Sequence, residues 1–182
     1  MAHLTQLPEN ATLLDVFEAY PQAAQLANAL AQHVLRAPGV LTPAQRELLF
    51  AYGSGVNACH FCHGAHVAVA QQLGVDPQLI ESALVSIDTA PIDDRFKPLL
   101  HYVRKLTETP SRVTKADADA VRAAGWSDDA LHEAILVCAL HNFFNRWVDG
   151  TGVDADQPFF QQVGKRLSEV GYTGITGAAQ PP

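Results

Sequence analysis

The chain has little of what marks nucleic-acid-binding or membrane proteins. It carries 12 Lys and Arg residues against 19 Asp and Glu, for a net charge of −7, and its basic residues form no cluster. Because a phosphate backbone would be repelled by such a chain, we expect no nucleic-acid partner. No apolar run approaches the roughly 20 residues that span a bilayer, so we expect no membrane partner either.

Cysteine is also scarce, with three residues in 182. The first residues, MAHLTQLPEN, lack the basic and apolar regions of a secretory signal peptide, which predicts a cytoplasmic protein. A structural disulfide framework is not expected in that compartment, and a Cys-x-x-Cys pair there favours metal binding or redox chemistry. Cys59 and Cys62 form such a pair. Cys138 lies at helical spacing with Leu131 and Ile135 and is predicted to be a core residue.

Strand-like alternation is absent, and apolar residues recur instead at helical spacing between capping residues. We predict a single all-α domain over residues 1–182, a helical bundle of about seven or eight helices. Its Cys-x-x-Cys core spans residues 42–74, and a mobile tail begins at about Gly171, where Gly, Ala and Pro accumulate. In the second helix, the apolar face is predicted from the spacing of Ala23, Leu26, Leu30 and Val34.

The potential chemistry is concentrated between Glu47 and Leu73. Cys59, Cys62 and His66 fall at positions i, i+3 and i+7, which places them on one stripe of a helix. Helical residues three apart have Cα atoms about 5 Å from each other, within the range that a disulfide requires. The spacing predicts a Cys59–Cys62 disulfide that opens and closes without refolding.

The 21 residues RELLFAYGSGVNACHFCHGAH contain a Glu twelve positions before the first Cys and a His four positions after the second. This arrangement resembles the core motif of the alkylhydroperoxidase D and carboxymuconolactone decarboxylase superfamily, and most of all its peroxidase-related branch. The segment HNFFNRWVDGTGV, residues 141–153, is similar to a motif that ends the conserved region in members of that branch. One departure is Phe61, where some members have a histidine; here His60 and His63 lie on either side.

The resemblance implies an all-α, homo-oligomeric oxidoreductase that reduces hydroperoxides with its cysteine pair. It also implies a thioredoxin-like or lipoyl-type protein as the reductant. Position by position, the proton-relay carboxylate falls on Glu47, the redox cysteines on Cys59 and Cys62, and the helical histidine on His66. A high apolar content for a small helical domain also favours a homo-oligomer.

Peroxide reduction requires one thiolate to attack the O–O bond and a second thiol to convert the sulfenic acid into a disulfide. Two effects favour different cysteines for the attack. His66 lies one turn after Cys62 and could serve as its base, whereas Cys59 is nearer the helix N-terminus, whose dipole lowers a thiol pKa. We favour Cys62 as the attacking thiol and Cys59 as the resolving thiol, because a base at i+4 controls both deprotonation and orientation. The sequence also allows the reverse order.

A proton relay between Glu47 and His66 requires a bend in the chain. The two residues would lie about 28 Å apart on one straight helix. Gly53, Ser54 and Gly55 are predicted to form the turn that folds the two halves together, with Asn57 capping the second helix. We expect burial to keep the Glu47 carboxyl protonated, ready to exchange a proton through the imidazole.

Two alternatives involve a bound group. The string CHFCH matches the c-type haem attachment signal, but that use requires export, and Met1 is a poor axial ligand. A non-catalytic, metal-bound oligomer could use Cys59, Cys62, His63 and His66, although four ligands within two helical turns cannot easily surround a tetrahedral ion. We therefore expect neither a cofactor nor a metal.

Overall fold

A computed structural model describes residues 1–173 and contains no β-strand in that range. The all-α prediction is confirmed. The described chain forms nine α-helices, with a short 3-10 turn at Pro110–Arg112 between the sixth and the seventh. They are α1 Leu13–Ala19, α2 Pro21–Arg36, α3 Pro43–Val56, α4 His60–Gln72, α5 Pro77–Val85, α6 Lys97–Glu108, α7 Lys115–Ala123, α8 Asp128–Thr151 and α9 Gln157–Val170.

The nine helices of the described chain slightly exceed the predicted seven or eight, and the two N-terminal ones follow each other almost directly. Only Tyr20 lies between α1 and α2, in a non-helical conformation. Pro21 then begins α2, where its missing N–H would have no partner in any case. In the described part of the chain, no helix has both the length and the apolar character of a bilayer-spanning segment.

The buried face of α2 differs from the predicted one. Leu26 and Leu30 are 74% and 50% exposed, whereas small residues such as Ala24, Ala27 and Ala31 face the core. Of the predicted face only Val34 is buried, so the buried face of α2 is rotated relative to the prediction. Small side chains let α2 approach closely, and two leucines are left on the surface.

The predicted turn at Gly53-Ser54-Gly55 is wrong. These residues lie inside α3, which begins with the Thr42 and Gln45 capping box and continues to Val56. A Cβ at Gly53 would overlap the His141 imidazole, so this glycine allows α8 to pack closely and does not form a bend.

The chain reverses three residues later, at Asn57 and Ala58. Asn57 ends α3 and does not cap α4; Cys59 holds the N-cap position of α4 instead. Ala58 adopts a left-handed conformation with φ of 56°. Asn57 donates from Nδ2 to the side-chain oxygens of Asn142 and Asn145 on α8, at 3.1 and 2.8 Å. The turn is therefore held by the second motif segment, residues 141–153.

The reversal lays α4 against α3 on one side and against α9 on the other. Gly164 of α9 lies so close to Ala68 of α4 that a Cβ there would overlap it. After α9 the chain turns back toward the core, and Tyr172 is only 6% exposed. The predicted start of a mobile tail at Gly171 is thus too early, and the rest of that predicted tail, residues 174–182, lies outside the described residues.

Candidate active site

The two motif cysteines lie at the start of α4, and both are buried as separate thiols. Cys59 is the N-cap residue, and Cys62 lies in the first turn. A hydrogen bond with Cys62, together with burial, raises the pKa of Cys59. Asp149 acts in the same direction. A thiol with a raised pKa stays protonated at neutral pH, so Cys59 is a poor attacking thiol.

The structure brings Glu47 of α3 and His66 of α4 into direct contact. The Nδ1 atom of His66 lies 2.6 Å from Oε2 of Glu47, and the carboxylate is completely buried. The imidazole also stacks on Phe50, with ring centroids 3.5 Å apart and planes 14° apart. A hydrogen bond on one edge and an aromatic ring on one face hold His66 in a single orientation.

Two further residues bind Glu47, and neither was predicted from the sequence. Arg36, in the last turn of α2, donates from Nη1 to Oε1 at 2.5 Å. The Tyr172 hydroxyl donates to the same oxygen at 2.7 Å, and the Arg36 guanidinium lies over the Tyr172 ring at 5.0 Å from its centroid. Glu47 therefore has two donors at Oε1 and the His66 imidazole at Oε2.

This set of partners reverses the predicted charge of Glu47. Burial alone would raise its pKa, but attraction to His66 and Arg36 and the hydrogen bonds from His66 and Tyr172 outweigh burial and lower it. The carboxylate is thus ionised at neutral pH. An ionised carboxylate only accepts hydrogen bonds, so His66 must carry its proton on Nδ1, which leaves Nε2 free to exchange one.

Cys62 and His66 also share a cavity, and Cys59 does not line it. The cavity has a volume of about 60 Å³ and lies between α4, α9, α2 and α1. Its wall is mostly apolar, formed by Leu13, Leu14, Phe17, Ala31, Phe50, Phe61, Ala65, Phe144, Phe159, Val163 and Leu167. Asn28 and Tyr172 are the remaining residues of the wall. This arrangement exposes the second cysteine of the motif, with its histidine, to a small apolar ligand.

The other motif histidines face away from the cysteine pair. His60 contacts Asp154 at 2.8 Å on the surface. His63 lies between the Ala51 carbonyl and Glu81, at 3.0 and 2.9 Å. A four-ligand site on Cys59, Cys62, His63 and His66 would require His63 to leave Ala51 and Glu81 and His66 to leave Glu47. No group of three or more His, Cys, Asp or Glu side chains in residues 1–173 is arranged to hold a metal ion.

Cys138 is buried in α8, as predicted, and is 1% exposed. Its sulfur contacts the Thr107 hydroxyl at 3.4 Å and Asn142 Nδ2 at 3.5 Å. Burial raises the pKa of this thiol, which makes it a poor nucleophile.

Of the two unpredicted partners of Glu47, Arg36 belongs to a recognisable sequence pattern. Asn28, Gln32 and Arg36 follow each other at intervals of four on α2, so they form a polar stripe beside its small apolar residues. Gln32 accepts a hydrogen bond from the Tyr172 backbone N–H at 2.7 Å, which fixes the segment after α9. No comparable pattern marks Tyr172, because it lies in a region rich in Gly, Ala and Pro.

Comparison with known proteins agrees with this architecture. Residues 21–103 match the sequence model of the Carboxymuconolactone decarboxylase family. This range includes Arg36, Glu47, both motif cysteines and His66. No curated protein sequence matches the chain.

Several solved structures share the fold. An uncharacterised peroxidase-related protein from Silicibacter sp. superimposes with a TM-score of 0.75 at 24% identity, covering 83% of this chain and 79% of its own. A peroxidase-related protein from Ralstonia eutropha, described as an alkylhydroperoxidase AhpD core, gives 0.75 at 23% identity, with 82% and 78% covered.

A third structure, from Agrobacterium tumefaciens, is described as a protein of unknown function related to antioxidant defence. It gives a TM-score of 0.68 at 23% identity, covering 80% of this chain and 99% of its own. Identities this low establish a common fold. The fold that these structures share and the family match over residues 21–103 together support a relationship to the alkylhydroperoxidase D and carboxymuconolactone decarboxylase superfamily.

Proposed function

We propose that the protein is a thiol-dependent peroxidase that reduces organic hydroperoxides with Cys62 and Cys59. The observation that carries the proposal is the shared cavity, whose wall contains both Cys62 and an imidazole held by an ionised carboxylate. The family match over residues 21–103 supports an enzyme of this general type.

The first step removes the Cys62 proton. Nε2 of His66 accepts it, and the resulting imidazolium is stabilised by Glu47, whose Oε2 accepts the Nδ1 proton. Glu47 thereby orients and stabilises the base, and it does not shuttle the proton itself. Arg36 and Tyr172 keep Glu47 ionised, and an ionised Glu47 can stabilise the imidazolium.

The second step is the attack on the peroxide. The Cys62 thiolate attacks the terminal oxygen, so that an S–O bond forms and the O–O bond breaks. Sulfur is oxidised to sulfenic acid, the hydroperoxide is reduced to an alcohol, and the leaving alkoxide takes the proton from Nε2 of His66. Cys59 then attacks the Cys62 sulfur, giving the disulfide and one water. Cys62 lines the cavity and Cys59 does not, which supports this division of roles.

The Cys59–Cys62 disulfide must then be reduced by a dithiol partner, which supplies two electrons. Thiol–disulfide exchange with a thioredoxin-like or lipoyl-type partner restores both thiols in one cycle. Both cysteines are buried, so we expect the partner to dock at the start of α4, where His60 and Ala58 are exposed.

Rapid mixing of the reduced protein with cumene hydroperoxide, tert-butyl hydroperoxide and hydrogen peroxide tests the proposal. We expect a rapid loss of two thiols and a Cys59–Cys62 disulfide, with Cys138 still reduced. In Cys59→Ser the reaction should stop at a sulfenic acid on Cys62, which dimedone labels. If Cys62→Ser is oxidised as fast as the parent, or if Cys138 enters the main disulfide, the assignment is wrong.

We also propose that the protein forms a homo-oligomer through the outer face of α2. Leu26, Leu30 and, on α8, Phe143 are large apolar residues with 49–74% of their surface exposed. A second copy of the chain would cover them. Light scattering of the parent should give a dimer or larger assembly, and the double change Leu26→Glu and Leu30→Glu should reduce it. A parent that is monomeric at micromolar concentration would contradict the proposal.

A further inference from the structure

One wall of the cavity contains a polar group that the reaction described above does not use. Asn28 of α2 is 3% exposed and lines the cavity together with Cys62 and His66. Its Nδ2 atom is buried and has no hydrogen-bond partner. Among buried side-chain atoms without a partner in residues 1–173, it alone belongs to a residue of the cavity wall.

A buried amide donor without a partner is unfavourable for folding, because it loses its hydrogen bonds to water and gains none in return. An apolar residue of the same size would fit the neighbourhood of Ala27, Ala31 and Phe17 better. Such a group is expected where a ligand supplies the missing partner.

The other polar groups of the cavity are already engaged. The Tyr172 hydroxyl donates to Glu47, and Nδ1 of His66 faces the same carboxylate. Nε2 of His66 accepts and returns the proton, and the Cys62 sulfur attacks the peroxide. Asn28 is therefore the group left to bind the substrate's oxygen.

We infer that Asn28 is a substrate-binding residue that donates a hydrogen bond to the hydroperoxide oxygen bearing the organic group. The inference rests on the peroxidase function proposed above. That oxygen gains negative charge as the O–O bond breaks, and a fixed donor in an apolar, water-poor cavity stabilises it more than water would. The organic group then lies against the apolar wall, so the substrate class is a small apolar alkyl or aryl hydroperoxide.

The inference predicts a dependence on the leaving group. An alkoxide is a poor leaving group and needs stabilisation, whereas a carboxylate leaving from a peroxy acid disperses its own charge. Loss of the donor should therefore slow reduction of an alkyl hydroperoxide more than reduction of a peroxy acid.

The test compares Asn28→Leu with the parent in single-turnover oxidation by tert-butyl hydroperoxide and by peracetic acid. Gln25→Leu, an amide-to-leucine change on the exposed side of α2, is the control. We expect Asn28→Leu to lose about 10²-fold with the alkyl hydroperoxide, as on removal of one oxyanion donor. The loss with peracetic acid should stay below about tenfold. The melting temperature should be unchanged or higher, because a buried amide without a partner is removed.

Alkylation by iodoacetamide reports the Cys62 thiolate without any peroxide. Parent and Asn28→Leu should react with it equally, since Asn28 does not act on the thiol. Equal peroxide rates in the two proteins, or an equal loss with both oxidants, would overturn the role of Asn28 and leave the peroxidase proposal intact. A parent that is alkylated at Cys62 but oxidised by neither peroxide would overturn both.

Discussion

Replacement of Glu47 by Gln tests whether the carboxylate orients the histidine. Arg36 and Tyr172 both donate to Oε1 of Glu47. A glutamine at this position must therefore place its carbonyl oxygen there, and its NH₂ group takes the place of Oε2, facing Nδ1 of His66. A donor at that position requires Nδ1 to accept, so the proton moves to Nε2. His66 can then no longer take the proton of Cys62.

The expected loss is large because the imidazole is held in the wrong tautomer, although the geometry is nearly unchanged. Removal of general-base catalysis costs at least about 10²-fold, and a comparable tautomer change in Ser-His-Asp enzymes costs about 10⁴-fold. We expect the rate of oxidation by tert-butyl hydroperoxide at pH 7 to fall within that range. This corresponds to roughly 3–5 kcal/mol in the barrier.

The measurement is stopped-flow thiol oxidation between pH 6 and pH 9. The deficit should shrink toward pH 9, where hydroxide can remove the thiol proton without the imidazole. Glu133→Gln is the matched control, because Glu133 also pairs with an arginine, Arg46 at 3.0 Å, but lies away from the cysteines. It should lower stability and leave the rate unchanged.

If Glu47→Gln is oxidised as fast as the parent across this pH range while Cys62→Ser is inactive, Glu47 does not orient the base. Glu47 would then be a structural residue of α3. A slow Glu133→Gln variant would show instead that general loss of stability explains the effect.

Three further predictions concern stability, each measured by urea unfolding. Burial lowers the pKa of His141 to about 4. Below the ordinary pKa of 6.5, His141 binds a proton in the unfolded chain but not in the folded protein. The free energy of unfolding should therefore fall by about 3 kcal/mol from pH 6.5 to pH 4. An equal dependence of stability on pH in His141→Leu would contradict this. Glu47 adds to the loss at lower pH, since its lowered pKa gives stability that is present above its ordinary value and lost as pH falls through the folded one. Ala58→Gly should stabilise by roughly 0.5–1 kcal/mol, because the left-handed φ of 56° favours glycine; destabilisation would show that the turn is not strained. Tyr172→Phe removes a hydrogen bond to a buried carboxylate and should cost about 1.5–3 kcal/mol, whereas no loss would mean that the hydroxyl does not reach Glu47.

Much of the local structure followed from the sequence because it depends on neighbouring residues. The Thr42-Pro43 start of α3, the Gly74 end of α4 and the Asp76-Pro77 start of α5 use capping groups within a few positions. The spacing also placed Cys62 and His66 correctly on one helix, whereas Cys59 is the N-cap residue just before that helix and not part of it.

Predictions that depended on distant residues were less successful. The glycines of α3 were interpreted as a bend, but Gly53 is small because His141 of α8 packs against it. Similarly, α2 turns its alanines to the core and leaves Leu26 and Leu30 exposed, which the apolar spacing within α2 did not predict.

The sequence by itself determined the all-α class, the helix boundaries near caps and the placement of Cys62 and His66 on one helix. Tertiary structure decided the charge of Glu47, on which the chemistry depends. A buried carboxyl in isolation is expected to be protonated, since desolvation penalises its charge. Arg36, eleven positions before it, and Tyr172, 125 positions after it, reverse that expectation. They do so because folding brings a cation and a hydroxyl donor within 2.7 Å of one oxygen, which no local pattern in the sequence records.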